Sequence, residues 1–332
     1  MTIKRTLLRI VQWAAALLLV LLILLATVLG FFMAQAGKRE SISRTDAAPK
    51  TGHFIRTTDV EMYVQEWGPK TGMPVVLVHA AGGWSGVWEK TAIELSAEGY
   101  RVIAVDMPPL GFSERPQNAD YSRDAQAKRL IGVLDDLLIP KAVFVGHSFG
   151  ARAVAQAALT HPERVSGVVF VDAALSLQPS KPSTLLNIVM STSLSRRAVA
   201  AATLTNPLFT KTLLDMFVAD PESATPYWVS LYQAAMNVKG TTAAVADWLP
   251  ELLTAQDSSV SSNPDWFKKI QAPTLVLWGD ADTVTPLSQG EYLASLIPHS
   301  QLVTLPGIGH LPPIEDTSGF DKALLAYLNQ LR

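Results

Sequence analysis

The sequence contains no cysteine. That excludes a thiol nucleophile, a cysteine-ligated metal and any disulfide, and it leaves the redox compartment open. Charge is sparse: 17 % of residues are Asp, Glu, Lys or Arg, and the formal net charge is −2, so no nucleic-acid partner is expected. No internal repeat with a period of about 20 to 50 residues is present, so no repeat array is expected. What is there is a chain of 332 residues, 48 % of them apolar. That is long enough for one large domain or two smaller ones, with a sizeable core.

The longest apolar run lies at the N-terminus. Lys4, Arg5 and Arg9 precede an uncharged stretch from Ile10 to Gly37. About 20 apolar residues at 1.5 Å each cross a hydrocarbon layer of ~30 Å. Trp13 near one end, and Phe31 and Phe32 near the other, suit the two interfaces. A cleaved signal peptide competes with this reading, because Ala34-Gln35-Ala36 resembles a small-residue cleavage site. The apolar region of a signal peptide usually runs only about 7–15 residues, and this one is longer. The expectation is a retained single-pass membrane anchor over residues 1–36, with the downstream domain on the extracytoplasmic side. Lys38, Arg39 and Arg44 beyond the run oppose the N-terminal charges that favour this orientation. Residues 37–51 are polar and aperiodic and are read as a linker lifting the domain off the membrane.

From residue 52 onward, strands and helices alternate. Residues 54–58 and 61–67 alternate apolar and polar and predict an antiparallel opening pair. Continuous apolar runs at 74–79, 100–106, 142–147, 167–173, 273–279 and 301–305 are strands buried on both faces. Helical segments separate them, so the pattern argues a mostly parallel sheet of about eight strands with helices on both faces. Residues 176 to about 262 hold no convincing strand and read as several short helices. This insertion carries Phe217, Tyr227, Trp228, Tyr232 and Trp248, and is expected to form a lid.

One stretch stands out. Val143-Phe144-Val145 leads into Gly146-His147-Ser148-Phe149-Gly150, and an alanine-rich helical segment follows. A strand, a tight turn and a helix place a serine at the apex in a strained backbone conformation. Only tiny residues fit beside it, which accounts for Gly146 and Gly150. The turn lifts the hydroxyl clear of the sheet, aims a helix N-terminus at it, and leaves the Phe149 N–H for a developing oxyanion.

A serine hydroxyl needs an imidazole to take its proton, and the imidazole needs a carboxylate to hold its tautomer. Loops at the C-terminal edge of a parallel sheet bring such groups together. Of the six histidines, His310 is the best candidate, on a Gly-x-Gly-His loop after the last strand. His147 must point away from its neighbour Ser148, and His79 ends a strand where it shapes the adjoining loop. For the acid, Asp280 and Asp282 both follow a core strand, Asp172 follows the preceding one, and Asp106 lies on a loop read as structural.

These pieces together resemble the α/β-hydrolase fold superfamily over about residues 54–331. The elbow at Ser148, the order Ser…Asp…His, the Gly279-Asp280-Ala281-Asp282 and Gly309-His310 loops all match. The loop from Asp106 to Ser113 is similar to the family's D-x-P-G-x-G-x-S, with Pro109 where glycine is usual. The resemblance implies Asp282 as the acid, His310 as the base, and backbone N–H groups of Phe149 and Ala81 as the oxyanion donors. It implies no cofactor and no metal, and a hydrolase domain over 52–332 with the helical cap of about 176–262 inserted. Ser148 argues against the relatives that use an aspartate nucleophile, the epoxide hydrolases and haloalkane dehalogenases. The loop from His79 to Gly83 lacks the Gly-x-Gly-Pro-Gly run of many carbon–carbon-bond hydrolases. What the resemblance then implies is hydrolysis of an apolar small-molecule carboxylic ester, lactone or amide through an acyl-serine. A haloperoxidase-like activity or acyl transfer on the same triad, and a tethered binding protein with a vestigial site, are the alternatives.

Overall fold

The computed structural model describes residues 2–178, 183–253 and 258–332. The expected lid of about 176–262 thus includes two short stretches that lie outside the described residues. The strands are β1 (Gly52–Arg56), β2 (Glu61–Trp67), β3 (Pro74–Val78), β4 (Arg101–Val105), β5 (Ala142–His147), β6 (Val165–Val171), β7 (Thr274–Gly279) and β8 (Ser300–Leu305). They form one sheet in the order β1-β2-β4-β3-β5-β6-β7-β8. β2 pairs antiparallel with β1 and β4, and every other pairing is parallel. β1 begins two residues earlier than its sequence pattern predicts. Thr57 turns the chain instead, its hydroxyl donating to the Val60 carbonyl at 2.7 Å.

The helices are α1 (Thr2–Arg39), α2 (Arg44–Ala47), α3 (Glu89–Ala97), α4 (Arg123–Asp136), α5 (Gly150–Thr160), α6 (Thr184–Met190), α7 (Ser193–Ala202), α8 (Thr210–Asp215), α9 (Pro226–Gln233), α10 (Thr241–Leu253), α11 (Leu287–Leu296), α12 (Pro312–Glu315) and α13 (Thr317–Leu328). Side-chain alternation decides which of them cover which face, because successive strand residues point to opposite sides. Val75, Leu77, Val143 and Val145 pack with Ala92 and Leu95 of α3 and with Phe320 and Leu324 of α13. Val76, Val78 and Phe144 face the other way, onto Leu130 of α4, Val154 of α5 and Leu293 of α11.

Between β6 and β7 the chain leaves the sheet and folds α6 to α10 as a cap. The cap is fixed to the sheet's C-terminal edge through Trp248, whose ring meets Phe149 edge-on at 4.8 Å between centroids. A second apolar cluster joins Leu214, Val218 and Trp228 of the cap to Leu311 and Ile314, just past His310.

The N-terminal segment differs from its expectation at its far end. α1 carries the apolar run of Thr6–Arg39, with a mean hydropathy of 3.0 and its most apolar window unburied, and is a candidate membrane span. The polar stretch that follows does not stand free as a linker. The Arg39 guanidinium donates to the carbonyls of Thr205 at 2.5 Å and Met236 at 3.0 Å. Glu40 accepts from the backbone N–H of Thr242 at 2.9 Å and from its hydroxyl. Ile42 forms a parallel bridge with Val238. Polar side chains that composition alone assigns to water are spent on the cap's own backbone.

Candidate active site

The elbow has the predicted geometry. Ser148 sits at φ 51°, and its N–H and carbonyl are held by the Val171 carbonyl and the Ala174 N–H, at 2.9 and 3.1 Å. A Cβ at position 146 would lie 2.7 Å from the Ala151 Cα, and one at position 150 would lie 2.5 Å from the His79 carbonyl oxygen. Both distances are below any real contact, so glycine is the residue that lets strand, turn and helix close around the serine.

Ser148 and His310 follow strands that are three places apart in the sheet, a separation of roughly 14 Å at the usual strand spacing. The loop after β8 must therefore fold back across the edge. Four contacts hold it there. The Ala281 N–H donates to the Ile308 carbonyl at 3.0 Å, and the His310 N–H donates to the Phe217 carbonyl of the cap at 2.8 Å. The His147 ring donates from Nε2 to the His310 carbonyl at 2.8 Å. Glu315 accepts the N–H groups of Gly309, Leu311 and Ala219 at 3.0, 3.0 and 2.7 Å. Glu315 and His147 are the positioning residues that the sequence reading misses. The one available signal was the side chain of His147, which had to point away from Ser148 and so toward the neighbouring loops.

Glu315→Ala strips three backbone donors of their acceptor. Leaving buried donors unsatisfied costs on the order of 1–3 kcal/mol, so a lower denaturation midpoint and a reduced kcat are expected together. An unchanged kcat in the folded variant would show that the loop holds its shape without the carboxylate.

The folded-back loop completes a hydrogen-bonded chain. His310 Nε2 lies 2.8 Å from Ser148 Oγ, and His310 Nδ1 lies 2.7 Å from Asp282 Oδ2. An ionised carboxylate only accepts, so Nδ1 carries the proton and Nε2 is left to accept from the serine. Asp282 also accepts from Val284 N–H, Thr285 N–H and the Thr285 hydroxyl, at 2.7, 3.0 and 2.7 Å. Burial works against its charge, but the hydrogen bond and charge of His310 and the bonds from Thr285 hold the carboxyl below its ordinary range.

The other acids fall elsewhere. Asp280 is exposed and accepts the Gly307 N–H at 2.6 Å. Asp172 is fully buried; its Oδ1 accepts the Gly279 N–H at 2.9 Å and its Oδ2 has no hydrogen-bond partner. Burial, then the nearby Asp282 carboxylate, push Asp172 well above the usual carboxylate range. Asp172, Asp282 and His310 place ligand-type atoms within 4.8 Å of one another, but the Asp282 and His310 atoms are already engaged with each other, Thr285 and Ser148. Asp106 is the structural acid expected, accepting the N–H groups of Ser85 and Phe112 at 2.6 and 2.7 Å.

His79 shapes the loop beside the serine. Its Nδ1 donates to the Ala80 carbonyl at 2.8 Å and its Nε2 accepts the Met107 N–H at 2.9 Å. Burial pushes this imidazole down to about 4, which keeps it neutral and able to accept. Ala80, Ala81, Ser148, Phe149 and His310 line one cavity of about 520 Å³, with Leu204, Phe217, Leu252 and Leu311 as apolar walls. Among the described residues, neither Ala81 nor Phe149 donates its backbone N–H to a protein group.

A nucleophile elbow, a base folded back onto it and a capped, largely apolar cavity define a hydrolase-type site on an α/β sheet. The sequence profile described as the α/β hydrolase fold matches residues 73–317, and the chain belongs to that family. A 2-hydroxymuconate semialdehyde hydrolase of Pseudomonas sp. (strain CF600) is 30 % identical over 280 residues, 82 % of this chain and 92 % of that protein. Among solved structures, a meta-cleavage product hydrolase from Pseudomonas fluorescens IP01 superposes with a TM-score of 0.70 at 29 % identity, covering 85 % of this chain and 99 % of that one. A membrane phospholipase A described as a bacterial virulence factor superposes with a TM-score of 0.69 at 26 % identity, covering 99 % of both chains. Family membership carries hydrolase chemistry to this chain. The relatives also bring back a class of enzyme that the loop from His79 to Gly83 sets apart by its sequence.

Proposed function

We propose that this protein is a membrane-anchored serine hydrolase that cleaves a carboxylic ester with an apolar acyl group. The observation that carries the reading is the unbroken chain from Ser148 Oγ through His310 to Asp282 at 2.8 and 2.7 Å. In this reading Ser148 Oγ attacks the ester carbonyl while its proton passes to His310 Nε2, and Asp282 stabilises the resulting imidazolium. The N–H groups of Phe149 and Ala81 receive the oxyanion. His310 then returns the proton to the departing alkoxide, leaving an acyl-serine. Water, deprotonated by the same imidazole, releases the acid and restores Ser148. The apolar cavity and the full-length likeness to a membrane phospholipase A support an acyl ester and a retained anchor.

The curated relatives favour a second reading. A muconate semialdehyde holds no ester, so its hydrolysis must break a carbon–carbon bond, and its carboxylate calls for a cation in the pocket. Arg152 is the one charged side chain, besides the triad imidazole, among the residues lining the cavity. Its guanidinium donates to the Ala174 carbonyl at 2.8 Å, to the Ser176 hydroxyl at 3.0 Å and to the Glu251 carbonyl. A fork so engaged does not present itself to a substrate carboxylate, which supports the ester reading.

The test uses the full chain in detergent with p-nitrophenyl esters of increasing acyl length, beside 2-hydroxymuconate semialdehyde. Ester turnover that improves beyond acetate, with covalent labelling of Ser148 by a fluorophosphonate, is expected. Turnover of the dienoate alone would transfer the assignment to carbon–carbon bond hydrolysis. Absence of labelling on the folded chain would leave a binding protein.

A further inference from the structure

The cap carries large apolar side chains on its outside. Leu185 and Ile188, three residues apart on one face of α6, are 70 % and 63 % exposed; Leu194 at the start of α7 is 66 % exposed and Leu208 is 76 % exposed. A single exposed leucine is unremarked on any protein surface, whereas several grouped on adjoining elements mark an interaction face. No residue from Ser183 to Ser195 carries a charge.

What lies next to this face indicates its partner. α1 packs along α7, and its Phe32 ring meets Phe209, the neighbour of Leu208, edge-on at 6.0 Å. The exposed cap residues therefore continue the apolar surface of the candidate span. The bonds of Arg39, Glu40 and Ile42 to Thr205, Met236, Thr242 and Val238 join the two rigidly. A span bolted to the cap in this way sets how the cap lies against the bilayer, which a flexible tether would not. The same elements wall the cavity: Leu204 lies between α7 and Pro207–Phe209, and Leu252 and Leu253 end α10, which packs on α7. Lys38 on α1 and Arg197 on α7 are exposed, and suit phosphate headgroups beside a shallowly buried apolar face.

We infer that the outer face of α6, the start of α7 and Pro207–Phe209 seats in the bilayer interface beside α1, so that a membrane lipid ester reaches Ser148 from the lipid side. This rests on the membrane reading above and narrows its substrate to an acyl lipid that need not leave the bilayer for water. A second copy of the chain is the rival occupant of the face.

The chain has no cysteine of its own, so Leu185→Cys, Ile188→Cys and Leu194→Cys each take one environment-sensitive dye. Leu138→Cys, on the core domain and 89 % exposed, is the aqueous control. Full-length protein is floated on phosphatidylcholine–phosphatidylglycerol vesicles containing doxyl-labelled lipid. Quenching at positions 185, 188 and 194 well above that at 138 is expected. Blue-shifted emission without lipid quenching would place a second copy on the face and overturn the inference. Floating protein with the three probes as water-exposed as the control would overturn it while leaving the anchor intact; protein that does not float would overturn both. None of these readouts depends on turnover, so the ester reading stands or falls separately.

In a second arm, Leu185→Glu with Ile188→Glu is expected to lower turnover of a vesicle-embedded lipid ester by about 10-fold, while p-nitrophenyl butyrate in detergent is hydrolysed as before. Equal loss on both substrates, or loss on neither, overturns lipid-side delivery.

Discussion

Ser148→Ala is expected to lower ester turnover by about 10³-fold or more, with no loss of fold. The hydroxyl touches one protein group, His310 Nε2, so its removal leaves no buried donor stranded. The features that hold the elbow are backbone bonds to Val171 and Ala174 and the absence of Cβ atoms at 146 and 150, and alanine changes none of them. The positive φ at position 148 is borne by a Cβ in either residue. Steady-state turnover and a thermal midpoint, measured on the same preparation, check the result. Normal turnover by a folded variant would sink the assignment of the nucleophile.

The next largest effect is expected for Asp282→Asn, a fall in kcat on the order of 10⁴. The surroundings dictate which way the new amide faces. Two backbone N–H groups, of Val284 and Thr285, point at Oδ1, so the amide oxygen belongs there. The amide nitrogen is then turned toward His310 Nδ1 and offers a donor where an acceptor is needed. The imidazole responds by moving its proton to Nε2, where it can no longer take one from Ser148. Asp172→Asn is the contrasting variant. Its carboxyl is already held neutral by burial and by Asp282, so an amide of the same shape should cost less than about 10-fold. If Asp172→Asn proves the crippling change and Asp282→Asn does not, the acid has been assigned to the wrong strand.

The contrast between those two aspartates also marks how far the sequence can be read. The elbow is legible because its glycines are a steric requirement at fixed spacing, and the sheet is legible because strands buried on both faces repeat as apolar runs. The order of loops along the edge follows from that alternation. Which aspartate meets the histidine does not, since Asp172, Asp280 and Asp282 all follow core strands and differ only in where their loops bend. The clamp by Glu315 and the His147 bond to the His310 carbonyl join residues up to 163 positions apart, and no local pattern encodes such a pair. Residues 37–51 fail for the same reason. Their polarity and lack of period describe a free linker, while their partners at 205, 236, 238 and 242 are supplied by the cap.

That last contact bears on where this enzyme can be cut. Trimming the chain at residue 52, the start of β1, gives a tidy soluble hydrolase on paper. It would also leave the carbonyls of Thr205 and Met236 without Arg39 and remove the Ile42 bridge from Val238. The Tyr63 hydroxyl would lose the Pro49 carbonyl, 2.7 Å away. The severed edges all lie along one side of the cap, next to Leu204 and the cavity it lines. A secreted or engineered form that keeps Arg39 to Lys50 and sheds only the apolar part of α1 retains that seam, and with it the shape of the substrate chamber.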